Sequence, residues 1–394
     1  MLNTPSSIKP HVAVFGKRNS GKSSLINALT GQNLAIVSDV AGTTTDPVYK
    51  SFELLPFGPV VFIDTAGLDD TGSLGDLRVK KSLEVLKKTD VALVVVEKEL
   101  SDFEKNLIKE LEKVGTDYLI VYNKSDIYNY SGKEKGIIVN TKTKQGIDKL
   151  KKALVKILEK HRTLNSKGLV SDLVKPGGFA ILVVPIDKEA PQGRLILPQV
   201  QTIRDILDND SFCIVVKERE LYRSLKLLNE KPDIVITDSQ AFQKVAADVP
   251  EYIPMTSFSI LFARYKGELD LFVEGVKEIE NLKDGDNVLI MEACSHHQIG
   301  DDIGTVKIPG LLRQYTGKKL NFHLYKGKGF DFENNDIKLV IHCGACMLNR
   351  KSMISRMKIF KEKGIKITNY GIVIAYTLGI LPRALKPFGI EFNY

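Results

Sequence analysis

The sequence predicts an α/β fold in three parts, in which a larger N-terminal domain is followed by two smaller α/β domains. Short apolar runs typical of buried strands alternate with segments of helical periodicity along most of the chain. Polar, aperiodic sequence at residues 162–168 interrupts this alternation, and a third segment begins near residue 265. We therefore place domains at residues 1–165, 172–264 and 265–394. A chain of 394 residues allows that number of cores.

The first predicted strand leads into a glycine-rich loop. Residues 11–15 have a strand pattern, residues 16–23 read GKRNSGKS, and a helical pattern follows at residues 24–29. This order is typical of a P-loop, whose glycines let backbone N–H groups surround phosphates. Lys22 is expected to reach the outer phosphate oxygens, and the Ser23 hydroxyl to bind Mg²⁺. The expected phosphate-binding residues are Gly16, Gly21, Lys22, Ser23 and Ser24.

Two further motifs are expected near the γ-phosphate. The strand pattern of residues 60–63 ends in Asp64-Thr-Ala-Gly67, where Asp64 would hold Mg²⁺ through water and the Gly67 N–H would sense the γ-phosphate. Residues 42–46, GTTTD, lie in a polar stretch and are predicted to form the first switch, with Thr44 as the second hydroxyl on Mg²⁺. Lys22, Thr44, Asp64 and Gly67 are thus the predicted catalytic residues.

The later motifs indicate that the base is guanine. Residues 118–122 lead into Asn123-Lys124-Ser-Asp126, and the Asp126 carboxylate can accept from guanine N1–H and the 2-amino group. Adenine offers no such pair of donors. Thr141 and Lys142 lie where a backbone N–H is expected to read guanine O6. Four motifs in this order predict a P-loop GTPase domain that binds GTP and GDP.

The residue that positions the attacking water differs from that of Ras-type proteins. Leu68 takes the place of their glutamine, so Asp69 or Asp70 could act instead. Asn19, together with the Gly42-Thr-Thr first switch, resembles the potassium-activated GTPases related to translation factors, including the MnmE type. That resemblance implies that Asn19 helps to seat a K⁺ ion in the place of an arginine finger. The alternative is that Asn19 only stabilises the loop by local turn bonding.

Composition favours a globular cytoplasmic protein. Hydrophobic residues make up 43% of the chain, and residues 1–10 contain no apolar core of signal-peptide length. Residues 91–96, among the longest apolar stretches, are far too few to span a membrane, so we expect no membrane partner. Three of the four cysteines are clustered, which does not suggest a disulfide framework. Cys213 lies alone in an apolar strand pattern and is predicted to be a buried packing residue.

The net charge of +8 comes from lysines that alternate with acids. No basic stripe interleaved with aromatic residues accompanies them. This pattern favours a solvated surface over a nucleic-acid-binding face, so we expect no nucleic-acid partner, with RNA binding as the alternative.

The last domain carries two clusters of candidate metal ligands. The strand patterns of residues 287–291 and 337–341 each end at such a cluster. Because carboxyl ends of strands in an open α/β sheet face one crevice, both clusters are expected to form one site. Thiolates select zinc or iron–sulfur clusters, and the spacing leaves both open, each with a fourth ligand that is not cysteine. Cysteines that bind no metal are the third alternative. The first cluster contains Cys294 and His296 and the second contains His342, Cys343 and Cys346, with 45 residues between the two histidines.

The whole arrangement resembles HydF, the GTPase family of FeFe-hydrogenase maturation. The resemblance rests on the Cys-x-His and His-Cys-x-x-Cys clusters behind a GTPase domain with Asn19. Residues 184–195 and 298–309 are also similar to stretches of that family, so the match covers essentially the whole chain. MnmE-type proteins share the GTPase motifs but lack the cysteine pattern and the middle segment.

This resemblance implies a scaffold and carrier. Members of the family hold a 4Fe-4S cluster, accept a two-iron precursor made by two radical-SAM maturases, and deliver it to the apo FeFe-hydrogenase. The middle domain is implied to form a homodimer or higher homo-oligomer, and GTP binding or hydrolysis to tune partner association. The competing hypothesis is a tRNA-modification or ribosome-assembly GTPase with a structural zinc site, for which salt-dependent RNA binding would be the sign.

The resemblance also assigns the ligands. Cys294, Cys343 and Cys346 are implied to hold the 4Fe-4S cluster. His296 and His342 are candidates for the fourth position or for anchoring the incoming two-iron unit. Glu292, Asp301 and Asp302 are nearby carboxylates that could also ligate.

Overall fold

The structure is a computed structural model that describes residues 4–32, 47–65, 84–130, 135–164, 168–185, 195–293, 302–327, 329 and 336–394. The chain divides into two compact units, Met1–Ser166 and Lys167–Tyr394. Among the described residues, none of the helices is both long and apolar enough to cross a bilayer.

The first unit contains a six-stranded sheet with the strand order β2-β3-β1-β4-β5-β6. Neighbouring strands are parallel, except that β2 runs antiparallel to β3. The strands are β1 His11–Gly16, β2 Val48–Leu54, β3 Gly58–Asp64, β4 Val91–Val96, β5 Asp117–Tyr122 and β6 Ile137–Ile138. The described helices are α1 Lys22–Thr30, α2 Asp102–Val114 and α3 Ile147–Leu164.

Both faces of this sheet are covered. Val12 and Val14 of β1 belong to a core cluster with Leu150 of α3, whereas Phe15 belongs to a second cluster with Leu111 of α2. Successive residues of a strand point to opposite faces, so the fully apolar β1 and β4 need helices on both sides. The carboxyl ends of β1 and β3 therefore carry the phosphate and Mg²⁺ motifs at one edge.

The second unit contains two four-stranded sheets, in the orders β10-β9-β7-β8 and β12-β11-β13-β14. All of their strand pairs are parallel. The strands are β7 Phe179–Val183, β8 Phe212–Val216, β9 Ile234–Thr237, β10 Met255–Ser257, β11 Asn287–Glu292, β12 Asn321–Lys326, β13 Ile337–His342 and β14 Lys366–Asn369. The α-helices are α4 Leu197–Asp208, α5 Leu221–Leu227, α6 Phe242–Asp248, α7 Phe258–Lys266, α8 Leu269–Val276, α9 Ile308–Thr316, α10 Arg350–Glu362, α11 Tyr370–Thr377 and α12 Leu381–Leu385.

One apolar core joins these two sheets. Ile181 of β7 and Ile341 of β13 belong to the same cluster of buried side chains. Helix α7 contributes Ile260 to this cluster and Leu261 to another that covers the first of the two sheets. The domain boundary that the sequence places between residues 264 and 265 falls inside α7.

The structure differs from the sequence expectations at edge strands and at Cys213. Helix α8 ends at Val276, and a 3-10 helix, Lys277–Asn281, follows it directly. Strands β2 and β12 were not predicted; both lie at sheet edges and have mostly exposed or half-buried side chains, so they lack an apolar signal. Cys213 is half-buried rather than buried, because β8 is also an edge strand, with Phe212 and Val215 exposed.

Candidate functional site

The P-loop of the first unit depends on close packing at Gly21. This residue has φ 92° and precedes α1, and a Cβ atom there would lie 2.2 Å from Nδ2 of Asn123. Nδ2 of Asn123 donates to the Ser20 carbonyl at 3.0 Å. Only glycine adopts this backbone and leaves that space. The sequence placed Asn123 with the guanine motif, and the structure shows that it also holds the P-loop.

The predicted phosphate and Mg²⁺ residues lie together beside this loop. Lys22 is buried, and its Nζ donates to the carbonyls of Gly16 at 3.0 Å and Lys17 at 2.8 Å. The Ser23 hydroxyl donates to Oδ2 of Asp64 at 2.6 Å. Burial raises the pKa of Asp64, while the Ser23 hydrogen bond and the Lys22 charge oppose this. A hydroxyl and a carboxylate at this distance are oxygen ligands that fit Mg²⁺.

Of four further residues predicted for the phosphate site, two lie within the described ranges. Asn19 is exposed and has φ 60°, a left-handed conformation that asparagine tolerates. Ser24 lies half-buried in the first turn of α1. Thr44 and Gly67 lie outside the described residues. The predicted roles of all four stay predictions.

The guanine motif is supported by residues that the sequence did not single out. Lys124 has φ 61°, and its Nζ lies 2.6 Å from Oε1 of Glu97. The Tyr130 hydroxyl lies 2.5 Å from the Asn123 carbonyl and also contacts the Glu97 carbonyl. Burial, followed by the Glu97 charge, raises the pKa of Tyr130 to about 12. The position of Glu97 directly after β4 was the available signal, because that strand end faces the nucleotide edge.

The loop expected to read guanine O6 lies near Asp126. Oδ1 of Asn140 accepts from the backbone N–H groups of Lys142 at 2.9 Å and Thr143 at 3.1 Å. These bonds shape the turn that contains the half-buried Thr141. Nζ of Lys142 lies 3.6 Å from Oδ2 of Asp126, whose carboxylate is partly exposed. The structure therefore brings the two predicted base-reading segments together.

In the second unit, the two strands that lead into the cysteines are neighbours. Strands β11 and β13 are parallel, with Met291 opposite His342. The Cys343 N–H donates to the Met291 carbonyl at 2.9 Å, and the Ala293 N–H donates to Sγ of Cys343 at 3.3 Å. Cys294 directly follows Ala293, although Cys294 and His296 themselves lie outside the described residues.

Residues 343–349, which we call the cysteine loop, present two thiols. Cys343 and Cys346 are both half-buried and are not joined in a disulfide. Ala345 between them has φ 53°, and Asn349 ends the loop by accepting from the Ser352 N–H at 3.1 Å. Two thiols three residues apart, one with an N–H group directed at its sulfur, fit an iron–sulfur cluster. Three or more ligands for one metal ion are not found within the described ranges, which exclude the third cysteine.

His342 is fully buried, and both of its ring nitrogens have partners. Nδ1 lies 2.8 Å from the Cys343 carbonyl, and Nε2 lies 2.9 Å from Nη1 of Arg356. A carbonyl only accepts and a guanidinium only donates, so Nδ1 carries the proton and Nε2 accepts. Burial, followed by the Arg356 charge, lowers the pKa of His342 to about 3. Both ring nitrogens are therefore hydrogen-bonded within the protein, and the role of His342 as a fourth ligand stays a prediction.

The candidate carboxylates are also engaged. Glu292 is 2% exposed; it accepts from the Tyr370 hydroxyl at 3.4 Å and lies 3.4 Å from Nζ of Lys326. Asp302 accepts from the N–H and the hydroxyl of Thr305, both at 2.9 Å. Asp301 lies outside the described residues. Oε2 of Glu292 is buried and has no hydrogen-bond partner within the described residues, so the roles of Glu292 and Asp302 as ligands stay predictions.

Two family models match the second unit. The hydrogen maturase F dimerization domain matches residues 169–267, and the hydrogen maturase F tetramerization domain matches residues 270–387. The chain belongs to the hydrogen maturase F (HydF) family. Phe212 and Val215, the exposed residues of the edge strand β8, lie within the residues matched by the dimerization domain.

The first unit matches a different family model, the 50S ribosome-binding GTPase, over residues 11–124. The tRNA modification GTPase MnmE of Legionella pneumophila (strain Corby) is 35% identical over 153 residues, which cover 37% of this chain and 34% of that protein. GTPase Der of Wolinella succinogenes is 34% identical over 175 residues, covering 39% and 37%. The chain thus spans about a third of the length of these curated relatives.

Solved structures of GTPases are also similar. Era from Aquifex aeolicus, bound to GDP and tetrafluoroaluminate, is 18% identical and covers 56% of this chain and 98% of its own, with a TM-score of 0.33. With the motif geometry and the family matches, the predictions of a P-loop GTPase domain and of HydF membership are confirmed.

Proposed function

We propose that this protein is a GTP-hydrolysing scaffold and carrier in FeFe-hydrogenase maturation. It would hold a 4Fe-4S cluster, accept a two-iron precursor from two radical-SAM maturases, and transfer that precursor to the apo-hydrogenase. One observation carries the proposal. In a chain of the HydF family, the N–H of Ala293, the residue before Cys294, donates to Sγ of Cys343.

The proposed cluster ligands are Cys294, Cys343 and Cys346. Soft thiolates favour iron–sulfur chemistry, and N–H groups directed at the sulfurs tune its reduction potential. The hydrogen bonds to both ring nitrogens of His342 favour a fourth iron position that takes another, exchangeable ligand. A carrier needs such a position, because the precursor, its substrate, must both bind and leave.

GTP is proposed to regulate this carrier in the cytoplasm. Lys22, Ser23 and Asp64 would hold the phosphates and Mg²⁺, with Thr44 and Gly67 completing the hydrolytic site. Asn123, Lys124 and Asp126 would bind guanine, together with Thr141 and Lys142. A switch loop that orders on the γ-phosphate gives a two-state element that could bias partner association.

The test is anaerobic reconstitution with iron and sulfide, followed by electron paramagnetic resonance of the reduced protein. The proposal expects a 4Fe-4S signal and about four irons per chain. Metal analysis of the purified protein without reconstitution provides the comparison. Stoichiometric zinc with no such signal would contradict the proposal. It would favour the alternative, a tRNA-modification or ribosome-assembly GTPase, which the 50S ribosome-binding GTPase match supports.

Potassium is expected to raise GTP turnover through Asn19. The exposed, left-handed Asn19 lies in the loop next to Lys22, where a bound cation would supply the charge of an arginine finger. We expect turnover in K⁺ to exceed that in Na⁺ on the order of tenfold or more, since arginine fingers contribute roughly 10³–10⁵. Steady-state phosphate release in each salt measures this. Asn19→Ala should remove the difference, and equal wild-type rates in both salts would refute the K⁺ site.

A further inference from the structure

Arg356 is a cation fully buried within the second unit. It lies on α10, has 0% exposure, and remains protonated even though burial lowers its pKa. Removing a guanidinium from water is costly unless its donors are well placed. The placement of these donors therefore indicates what the residue does.

The donors of Arg356 connect the segments that carry the cysteines. Nη1 donates to Nε2 of His342 at the end of β13, at 2.9 Å. Nη2 donates to the carbonyls of Gly327 at 2.8 Å and Gly329 at 3.0 Å, just after β12. The Gly327 N–H in turn donates to the carbonyl of Glu292, the last residue of β11, at 2.8 Å. Arg356 thus links the end of β13 to the segment after β12, and the backbone of that segment is hydrogen-bonded to the end of β11.

His342 extends this connection to the cysteine loop. Its Nδ1–H donates to the Cys343 carbonyl at 2.8 Å, and Nδ2 of Asn369 lies 3.5 Å from the same oxygen. Through His342, the Arg356 guanidinium lies two hydrogen bonds away from the backbone of Cys343. A cluster on three thiolates is anionic and gains negative charge on reduction. A nearby cation in a low-dielectric interior stabilises that reduced form.

We propose that Arg356 and His342 are positioning residues of the cluster site. Arg356 holds the segment after β12 against the end of β13 and supplies positive charge near Cys343, and His342 orients Cys343 without ligating iron. This inference rests on the proposed cluster-binding function.

The experiment compares Arg356→Gln, His342→Gln and a control, Arg383→Gln, in the full-length protein. Arg383 is a matched control because it also donates to backbone carbonyls, those of Ala246 at 2.9 Å, Val249 at 2.7 Å and Pro250 at 2.9 Å. Each protein is reconstituted anaerobically. Iron per chain, the midpoint potential and the histidine-nitrogen couplings in pulsed electron paramagnetic resonance are then measured.

Arg356→Gln is expected to bind less iron and to shift the midpoint potential to more negative values, whereas Arg383→Gln matches the wild type in both. His342→Gln keeps one donor and one acceptor, so it should retain the cluster and the wild-type nitrogen couplings. Wild-type iron content and potential in Arg356→Gln would overturn the role of Arg356. Loss of a nitrogen coupling in His342→Gln would overturn the role of His342.

The role of Arg356 can be tested even if the Arg356→Gln variant does not fold. If thermal unfolding shows that Arg356→Gln is unfolded, Arg356→Lys replaces it, because lysine keeps the charge but loses the planar fork of donors. Arg356→Lys should then lower iron occupancy while holding the potential near that of the wild type. Full occupancy would overturn the positioning role. A wild-type protein that binds no cluster would instead refute the proposed function itself.

Discussion

Replacing Cys343 with serine is expected to abolish cluster binding while GTP hydrolysis stays close to that of the wild type. Sγ of Cys343 accepts a hydrogen bond from the Ala293 N–H. Serine would replace this thiol with a hydroxyl, which is a poor ligand for iron. The nucleotide residues belong to the other compact unit, with its own core. Iron content and the reduced-state paramagnetic signal should fall to background. The rate of phosphate release measures the retained activity.

Cys213→Ser provides the matched control for this substitution. Cys213 is a half-buried free cysteine of the same unit, on β8, in a different sheet from the cysteine loop. Its replacement should leave both the iron content and GTP hydrolysis unchanged. Loss of both properties in Cys343→Ser would contradict separable sites, and a normal cluster in Cys343→Ser would remove Cys343 from the ligand set.

Asp126→Asn is expected to change the nucleotide preference from guanine to xanthine. The wild-type carboxylate accepts from guanine N1–H and the 2-amino group, whereas the amide would direct N–H donors at the same place. Each hydrogen bond to a charged group contributes about 1.5–3 kcal/mol. Affinity for GTP should therefore fall on the order of 100-fold or more. Xanthosine triphosphate, which has an oxygen in place of the 2-amino group, should bind the variant and restore hydrolysis.

Asp117→Asn is the control for the change of base preference. Asp117 begins β5, at the opposite end of the strand from the guanine motif, and Oδ2 of Asp117 lies 2.7 Å from Nε2 of His161. That variant should keep its preference for GTP. Titration with fluorescent guanine and xanthine nucleotides measures both affinities. Unchanged GTP binding by Asp126→Asn would show that Asp126 does not read the base.

Most of the secondary structure could be predicted from local pattern. The strands predicted at residues 287–291 and 337–341 are present, and each ends one residue later than predicted, at Glu292 and His342. Apolar runs of this length are reliable when helices cover both faces. Strands β2 and β12 escaped prediction because an edge strand with exposed side chains has no apolar run. The boundary predicted between the second and third domains falls within α7. Local pattern does not reveal that this helix contributes side chains to two different core clusters.

The sequence by itself determined the chemistry that lies in contiguous residues. A P-loop is recognised from glycines at positions such as Gly21 and from the lysine that follows. The candidate metal-binding cysteines are likewise recognised from their spacing in the chain. Tertiary structure alone decided which donor and acceptor atoms are already used. Asn123 bonds to the P-loop, Ala293 donates to Cys343, and Arg356 occupies the nitrogen of His342. Spacing shows which residues can reach a site, but their free lone pairs depend on hydrogen bonds between strands far apart in the chain.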